Sequence, residues 1–180
     1  MKYISFLRGI NVGGHKKILM TDLVKLYQSL KFKHVETYVQ SGNIIFDTGE
    51  RSAVLLSEQI GQKISDTYKF HVPVIIRTLE QLKIIVDSNP FINFQNRDPQ
   101  KLYVTLLSEI PFGERKVNLS DAGVCSDEYI ISENNIFLYC SGRYNDTKYS
   151  NTYFENIFKA QATTRNWKTI HKLVEIASEK

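Results

Sequence analysis

The order of hydrophobic patterns in residues 2–78 restricts the fold more than any other feature of the sequence. Continuous β-prone apolar runs predict buried strands, and apolar residues three and four positions apart predict helices. In chain order the patterns predict the strand Lys2–Leu7, the helix Thr21–Phe32, the strands Val35–Gln40 and Asn43–Asp47, the helix Ser52–Tyr68 and the strand Val72–Arg77. This β-α-β-β-α-β order is typical of a ferredoxin-like unit, in which two helices pack on one face of a four-stranded antiparallel sheet. Thr21 or Asp22 is the predicted N-cap of the first helix.

A further short helix and a boundary are expected after the fourth strand. Thr78 and Gln81 have the spacing of a capping box, and the helix that they open should end at Asn89, because the residue before a proline is disfavoured in the α conformation. Polar, turn-prone residues follow. The sequence therefore predicts residues 1–90 as a ferredoxin-like unit with a capping helix, and residues 91–180 as a second, divergent βαββα unit with a C-terminal helix.

The second half repeats the first only roughly. Its predicted elements are the strand Leu102–Leu107, a loop or poor helix over Pro111–Ala122, a hairpin of Tyr129–Ser132 and Ile136–Cys140, and the helices Lys148–Lys159 and Thr164–Ser178. The expected fold class is α+β, with two ferredoxin-like βαββα(β) units, antiparallel sheets with helices packed on one face, and extra C-terminal helices. The similar order of elements favours an internal duplication.

Composition excludes several protein classes. A hydrophobic fraction of 42% and a charged fraction of 23% are ordinary for a globular chain. No apolar run approaches the roughly 20 residues that span a bilayer, and the N-terminus lacks the features of a signal peptide. Two cysteines without metal-ligand spacing suit a reducing compartment, so we expect a cytoplasmic protein with no membrane partner.

Charge is distributed unevenly along the chain. Residues 1–34 hold seven Lys and Arg against one acidic residue, whereas residues 35–140 hold nine against fourteen, and residues 141–180 hold seven against four. If the two basic chain ends meet in the fold, they form a face that attracts an anionic small molecule or a nucleic acid. The alternative is that these side chains only solvate helix faces. The sequence does not indicate an oligomeric state.

A glycine-rich stretch at the end of the first strand is the main candidate binding site. Arg8, Gly9, Asn11, Gly13 and Gly14 would present main-chain N–H groups and basic or polar side chains to an anion, together with Lys16 and Lys17. The stretch is not a P-loop, because His15 follows Gly14 and no Ser or Thr follows Lys16. The alternative is a flexible turn whose glycines adopt positive φ.

Two other segments extend the candidate ligand site. Gln40, Ser41 and Asn43 lie where the second predicted strand turns into the third, although a tight hairpin turn also explains them. Lys148, Arg165 and Asn166 are the candidates in the second half, where Thr164 would cap a basic helix; the alternative leaves Thr164 as a cap only and Trp167 in the core. Trp167 lies on the apolar stripe of that helix and is predicted to be buried.

Recognisable catalytic patterns are few. The four histidines have no zinc-ligand spacing, so no metal site is predicted, and no nucleophile elbow occurs. The catalytic residues and any cofactor therefore stay unspecified. The function that we expect is a binding module for a phosphate-bearing ligand, either a nucleotide or a nucleic acid. The alternative is a small enzyme that acts on an anionic metabolite at the same loops.

Several short motifs occur together in the order found in one bacterial family. They are Leu7–Gly14, Met20, Tyr38–Phe46, Val72-Pro73 with Arg77, Asn89-Pro90-Phe91, and Thr163–Trp167 with Lys172-Leu173. With them the chain resembles the domain of unknown function 1697 family over essentially its whole length. The resemblance implies an α+β protein of ferredoxin-like units, typically cytosolic, with no established activity, substrate or cofactor.

One region departs from the pattern of that family. The family usually has Tyr-Pro-x-Gly followed by Ser-Lys-Leu-Thr, whereas here Tyr139–Gly142 reads Tyr-Cys-Ser-Gly and Thr147–Ser150 reads Thr-Lys-Tyr-Ser. Lys148 is retained and its neighbours differ. Any ligand geometry that the family shares in this region is therefore altered here.

Overall fold

Two compact units make up the chain. The computed structural model describes residues 1–93, 97–111, 117–118 and 127–179. Unit 1 comprises Met1–Leu82 and Leu173–Lys180, and unit 2 comprises Lys83–Lys172.

Unit 1 contains the predicted β-α-β-β-α-β order. Its elements are β1 (Lys2–Leu7), α1 (Met20–Ser29), β2 (Lys33–Tyr38), β3 (Asn43–Asp47), α2 (Ala53–Tyr68) and β4 (Val74–Thr78). The sheet is antiparallel with strand order β2-β3-β1-β4. β4 lies beside β1, with Leu7 opposite Val74, which confirms that the fourth strand joins the sheet of the first.

The core of unit 1 lies between its helices and one face of the sheet. Apolar residues of α1 and α2 cluster with those of the strands, and this set includes Tyr3, Leu7, Leu23, Leu26, Tyr27, Ile44, Phe46, Leu56, Ile60, Ile64 and Ile76. The period of three and four residues in the sequence therefore marks the buried helix faces. Tyr27 is fully buried, and its hydroxyl hydrogen-bonds to Ser5 Oγ at 2.8 Å.

The helix α3 (Leu79–Asp87) follows β4 directly. Gln81 N–H donates to Thr78 Oγ1 at 3.1 Å, and Thr78 N–H donates to Gln81 Oε1 at 2.9 Å. Both bonds of the predicted capping box are therefore present.

Unit 2 is built on a second antiparallel sheet. Its elements are β5 (Leu102–Leu107), β6 (Val117–Asn118), β7 (Glu128–Ser132), β8 (Asn135–Tyr139), α4 (Asn151–Phe158), β9 (Ala162–Asn166) and the start of α5 (Trp167–Ser178). The strand order is β6-β7-β8-β5-β9. Short 3₁₀ turns occupy Pro90–Asn93, Pro99–Lys101 and Tyr144–Asp146. The fold is therefore α+β with two ferredoxin-like units.

The strands of the two sheets are paired with the same register. Tyr3 of β1 pairs with Phe46 of β3 and Thr78 of β4, and the corresponding Tyr103 of β5 pairs with Leu138 of β8 and Asn166 of β9. The next pairs along the fourth strands place an arginine opposite the central strand in each unit, Arg77 opposite Ile4 and Arg165 opposite Val104. An identical register in both units is the geometry that an internal duplication leaves.

Two predicted helix starts need correction. Residues 164–166, predicted to begin the last helix, belong instead to the strand β9, because β-branched Thr163 and Thr164 pair with β5. The helix predicted from Lys148 begins at Asn151, because Ser150 is its N-cap and its Oγ accepts from Tyr153 N–H. In the segment Pro111–Ala122, predicted as a loop or poor helix, Val117–Asn118 form the strand β6, and residues 112–116 and 119–122 lie outside the described residues.

Candidate functional site

The glycine-rich segment between β1 and α1 folds as a tight turn. Gly9, Gly13 and Gly14 all have positive φ, between 57° and 79°. His15 N–H donates to the Val12 carbonyl at 3.0 Å, and Asn11 N–H donates to the Lys16 carbonyl at 3.2 Å. The expectation of glycines at positive φ is therefore confirmed, and the turn has a defined conformation.

The side chain of Asn11 joins this turn to the hairpin turn after β2. Its Nδ2 donates to the Ile18 carbonyl at 3.0 Å and to the Gln40 carbonyl at 2.9 Å, and its Oδ1 accepts from Ile18 N–H at 2.9 Å. Both amide protons are thus used by main-chain carbonyls. Asn11 holds two segments of the site together.

Gly42 lies where the hairpin turn approaches the end of β1. Its φ is +75°, and an added Cβ would lie 2.7 Å from Leu7 Cβ and 2.8 Å from Ile10 Cδ1. Leu7 N–H also donates to the Gly42 carbonyl at 2.8 Å. At the same turn, buried Asn43 donates through Nδ2 to the Tyr38 carbonyl and to Ser41 Oγ. Gly42 and Asn43 therefore shape the turn from within.

A cavity of about 540 Å³ opens where the turn, the hairpin and α1 meet. It is lined by Asn11, Gly14, Lys17, Ile18, Leu19, Met20, Thr21 and Gln40. Three candidate residues, Asn11, Gly14 and Gln40, are thus brought to one cavity. Arg8, Gly9, Gly13, Ser41 and Asn43 lie on the same two segments and outside its lining.

The helix α1 begins at this cavity without a side-chain cap. Leu19 is the N-cap, with extended φ and ψ of −70° and 139°, and its carbonyl accepts from Leu23 N–H at 3.0 Å. The prediction of Thr21 or Asp22 as N-cap was therefore wrong, because both lie inside the first turn. Asp22 N–H also donates to the Leu19 carbonyl, at 3.1 Å, so Met20 and Thr21 are the residues of the first turn whose N–H groups have no partner among the described residues. An N-terminus of this kind also carries about half a positive elementary charge.

The two neighbouring lysines have different environments. Lys16 Nζ donates to the His71 carbonyl at 2.7 Å. Lys17 lines the cavity and forms no hydrogen bond or ion pair with any residue that the structure describes. Asp22 is the acidic residue of the first turn of α1, and its carboxylate lies 3.9 Å from Lys25 Nζ. Of these two lysines, Lys17 is therefore the one that lines the cavity and has no partner among the described residues.

Most of the chain, including the residues around the cavity, matches one protein family. The family model described as "Protein of unknown function (DUF1697)" matches residues 1–137. The chain belongs to this family. The matched residues include the whole β1–α1 turn and the hairpin turn that line the cavity, so the cavity lies within the part of the chain that defines the DUF1697 family here.

A solved structure gives the same fold. The protein is similar to the conserved bacterial protein SP0830 from Streptococcus pneumoniae, with a TM-score of 0.74, 23% identity and 98% of each chain covered. At this identity the likeness concerns the fold alone. No curated protein matches the chain significantly.

The other candidate residues of the DUF1697 chain lie in unit 2. Arg165 is buried in β9, where Nη1 donates to Thr163 Oγ1 at 2.8 Å and to the Thr164 carbonyl at 2.9 Å, and burial lowers its pKa to about 10. Asn166 caps α5, because its Oδ1 accepts from Thr169 N–H at 2.8 Å. The predicted cap at Thr164 was therefore wrong. A site shared by the two chain ends stays a prediction.

Lys148 belongs to the region that departs from the family pattern. It is exposed, and its Nζ lies 5.1 Å from the centroid of the Tyr149 ring.

Cys140 is buried, which raises the pKa of its thiol to about 12. Asp127 accepts from Ser141 N–H at 2.8 Å and from Ser141 Oγ at 2.9 Å. A protonated, buried Cys140 is a structural residue rather than a nucleophile.

Trp167 is 5% exposed, which confirms the prediction that it is buried. Its ring meets the His171 ring edge to face, with 4.6 Å between the two ring centroids. The sequence patterns did not assign Ile18, Leu19, Met20 and Thr21, at and just before the start of α1, to the candidate site, although all four line the cavity.

Among the described residues, no three His, Cys, Asp or Glu side chains are grouped closely enough to hold a metal ion. Within the same residues, none of the helices has the length and apolar character needed to cross a membrane.

Proposed function

We propose that the protein binds a phosphate-bearing ligand in the cavity at the N-terminus of α1. The observation that carries the proposal is the combination, in one cavity of unit 1, of an uncapped helix N-terminus with Lys17. Helix N-termini bind phosphate through free main-chain N–H groups and the helix dipole. A lysine adds a full charge to that arrangement.

The lining groups are suited to binding. Thr21 and Gln40 supply polar side chains, Lys17 supplies charge, and Gly14 leaves main chain accessible. Asn11 holds the turn against the hairpin through its three hydrogen bonds to the main chain of Ile18 and Gln40. The main-chain donors of the turn are therefore positioned before the ligand arrives. Preorganised donors of this kind lower the entropic cost of binding.

Ligand-dependent stabilisation tests the proposal. Melting temperatures are measured in phosphate, sulfate and a mixture of nucleotides, against chloride at equal ionic strength. A ligand that binds only the folded state stabilises it by RT ln(1 + [L]/Kd), so the melting temperature keeps rising with the logarithm of the ligand concentration once that concentration exceeds Kd. We expect such a concentration-dependent rise with phosphate-bearing compounds, and we expect Lys17→Gln to abolish it.

Lys16→Gln is the matched control, because Lys16 is also exposed and carries the same charge, while its Nζ is bonded to the His71 carbonyl. It removes one positive charge from the same turn and keeps the cavity lining intact. Equal losses in the Lys16 and Lys17 variants would mean that net charge alone attracts the anion, and would refute a site at α1.

A further inference from the structure

The positive charge at the cavity is small. Lys17 contributes one charge and the first turn of α1 about half a charge. Lys16 also carries a full charge, but its Nζ is bonded to the His71 carbonyl and Lys16 is not part of the cavity lining. Asp22, in the first turn, lies beside Lys25. A phosphate monoester carries about −1.5 to −2 charges at neutral pH. The site therefore matches one monoester group and falls short of a triphosphate or of several strand phosphates.

The cavity is larger than an inorganic anion requires. Its volume is about 540 Å³. A water molecule takes about 30 Å³ in the liquid, so an anion that displaces a few waters leaves most of this space empty. Sites for organic small molecules have volumes of roughly 300–1,000 Å³. There is room for an organic group attached to the phosphate.

Apolar side chains lie next to these polar groups. Ile18, Leu19 and Met20 line the cavity, and the side chain of Leu19 is 69% exposed. Val12 and Val39, on the turn and the hairpin that Asn11 joins, are 66% and 49% exposed. Exposed apolar groups around a cavity favour a ligand with an apolar face. The thioether of Met20 is suited to contact with an aromatic ring.

Gln40 adds a carboxamide that can form hydrogen bonds with the polar edge of a ligand. Gln40 is one of the residues that line the cavity, and its side chain has no hydrogen-bond partner among the described residues. A carboxamide both donates and accepts, as the edge of a nucleobase does. A sugar phosphate offers the phosphate but no planar apolar face, whereas a nucleotide offers both.

We infer that the ligand is a nucleoside monophosphate, with its phosphate at Lys17 and the first turn of α1 and its base against Met20 and Gln40. This rests on the proposed function and narrows the ligand class of the same site.

Isothermal titration calorimetry of the full chain tests the inference. The probes are AMP, GMP, CMP and UMP, compared with inorganic phosphate, ribose 5-phosphate, adenosine, ATP and oligonucleotides of increasing length. At least one monophosphate should bind about tenfold or more tightly than phosphate and ribose 5-phosphate, which corresponds to the gain expected when the base is bound as well. ATP and longer oligonucleotides should bind no more tightly than that monophosphate.

Two variants separate the parts of the ligand. Lys17→Gln should weaken the monophosphate about tenfold or more, since a charge-assisted contact is lost, and leave adenosine binding unchanged. Gln40→Ala should change the ranking of the four monophosphates. Lys16→Gln and Gln28→Ala, the latter at an exposed position of α1, should match the parent within about twofold.

Three results would overturn the inference in different ways. Equal affinity for phosphate, ribose 5-phosphate and monophosphates, still dependent on Lys17, would contradict a bound base and leave the proposed function standing. Affinity that rises with oligonucleotide length, with a salt slope near −0.7 per phosphate, would identify a strand as the ligand. Failure of every phosphate-bearing probe would refute the proposed function itself.

Discussion

Replacing Gly42 with alanine tests the packing that joins the hairpin turn to β1. The new Cβ would lie 2.7 Å from Leu7 Cβ and 2.8 Å from Ile10 Cδ1, and both of these side chains are fully buried. Relieving such contacts in a packed core costs about 1–3 kcal/mol. The φ of +75° adds about 1–2 kcal/mol for any residue with a Cβ. Gly42→Ala should therefore destabilise the protein by about 2–5 kcal/mol.

Gly9→Ala is the matched control. Gly9 has a similar φ of +68°, and nothing lies within 4 Å of its added Cβ, so only the conformational cost of about 1–2 kcal/mol applies. The two variants differ in the clash alone.

Urea denaturation followed by far-UV circular dichroism measures both variants. Fluorescence of the single tryptophan would report on unit 2, whereas Gly42 lies in unit 1. A lower midpoint with an unchanged m-value indicates a loss of stability. Equal midpoints for Gly42→Ala and Gly9→Ala would refute the close approach of the turn to Leu7 and Ile10.

Three further predictions follow from individual contacts. Trp167→Ala should cost about 3–5 kcal/mol through the cavity that it leaves, and a circular dichroism melting curve equal to that of the parent would contradict the burial of the indole. Asn11→Ala should cost about 1–3 kcal/mol and speed hydrogen exchange at Ile18 N–H; unchanged exchange there would refute the role of Asn11 as a connector. Burial alone raises the pKa of Asp127, but hydrogen bonds from Thr147 and Ser141 and the charge of Lys148 hold it below its usual value. Its contribution to stability is therefore present above about pH 4 and lost as the pH falls through the depressed pKa. Asp127→Asn should flatten the acid side of the melting profile, and an unchanged profile would contradict this.

Local pattern predicted the central strands well. The predicted and observed bounds agree for the strands Lys2–Leu7, Asn43–Asp47 and Leu102–Leu107. A strand that is buried on both faces is a nearly continuous run of apolar, β-prone residues, so the run itself marks where the strand begins and ends. The capping box at Thr78 could also be predicted from the sequence, because both of its hydrogen bonds lie within a stretch of four residues. These features depend on neighbours in the sequence.

The features that the sequence did not predict depend on distant residues. β9 runs directly into α5, so the apolar stripe around Trp167 extended the helix prediction over residues whose pairing with β5 makes them a strand. The N-cap Leu19 has no polar side chain to mark it. The hydrogen bond from Asn11 to the Gln40 carbonyl could not be predicted locally, because the two residues are 29 positions apart in the chain.

Amide chemical shifts during titrations with inorganic phosphate and with each of AMP, GMP, CMP and UMP give the most direct test of binding at the N-terminus of α1. The account predicts saturable shifts at the N–H groups of residues 17–22, at Gly14 and at the Gln40 side chain, and predicts that Lys17→Gln removes them while Lys16→Gln does not. No saturable shift, or saturable shifts confined to amides of unit 2, would contradict a phosphate site in this cavity.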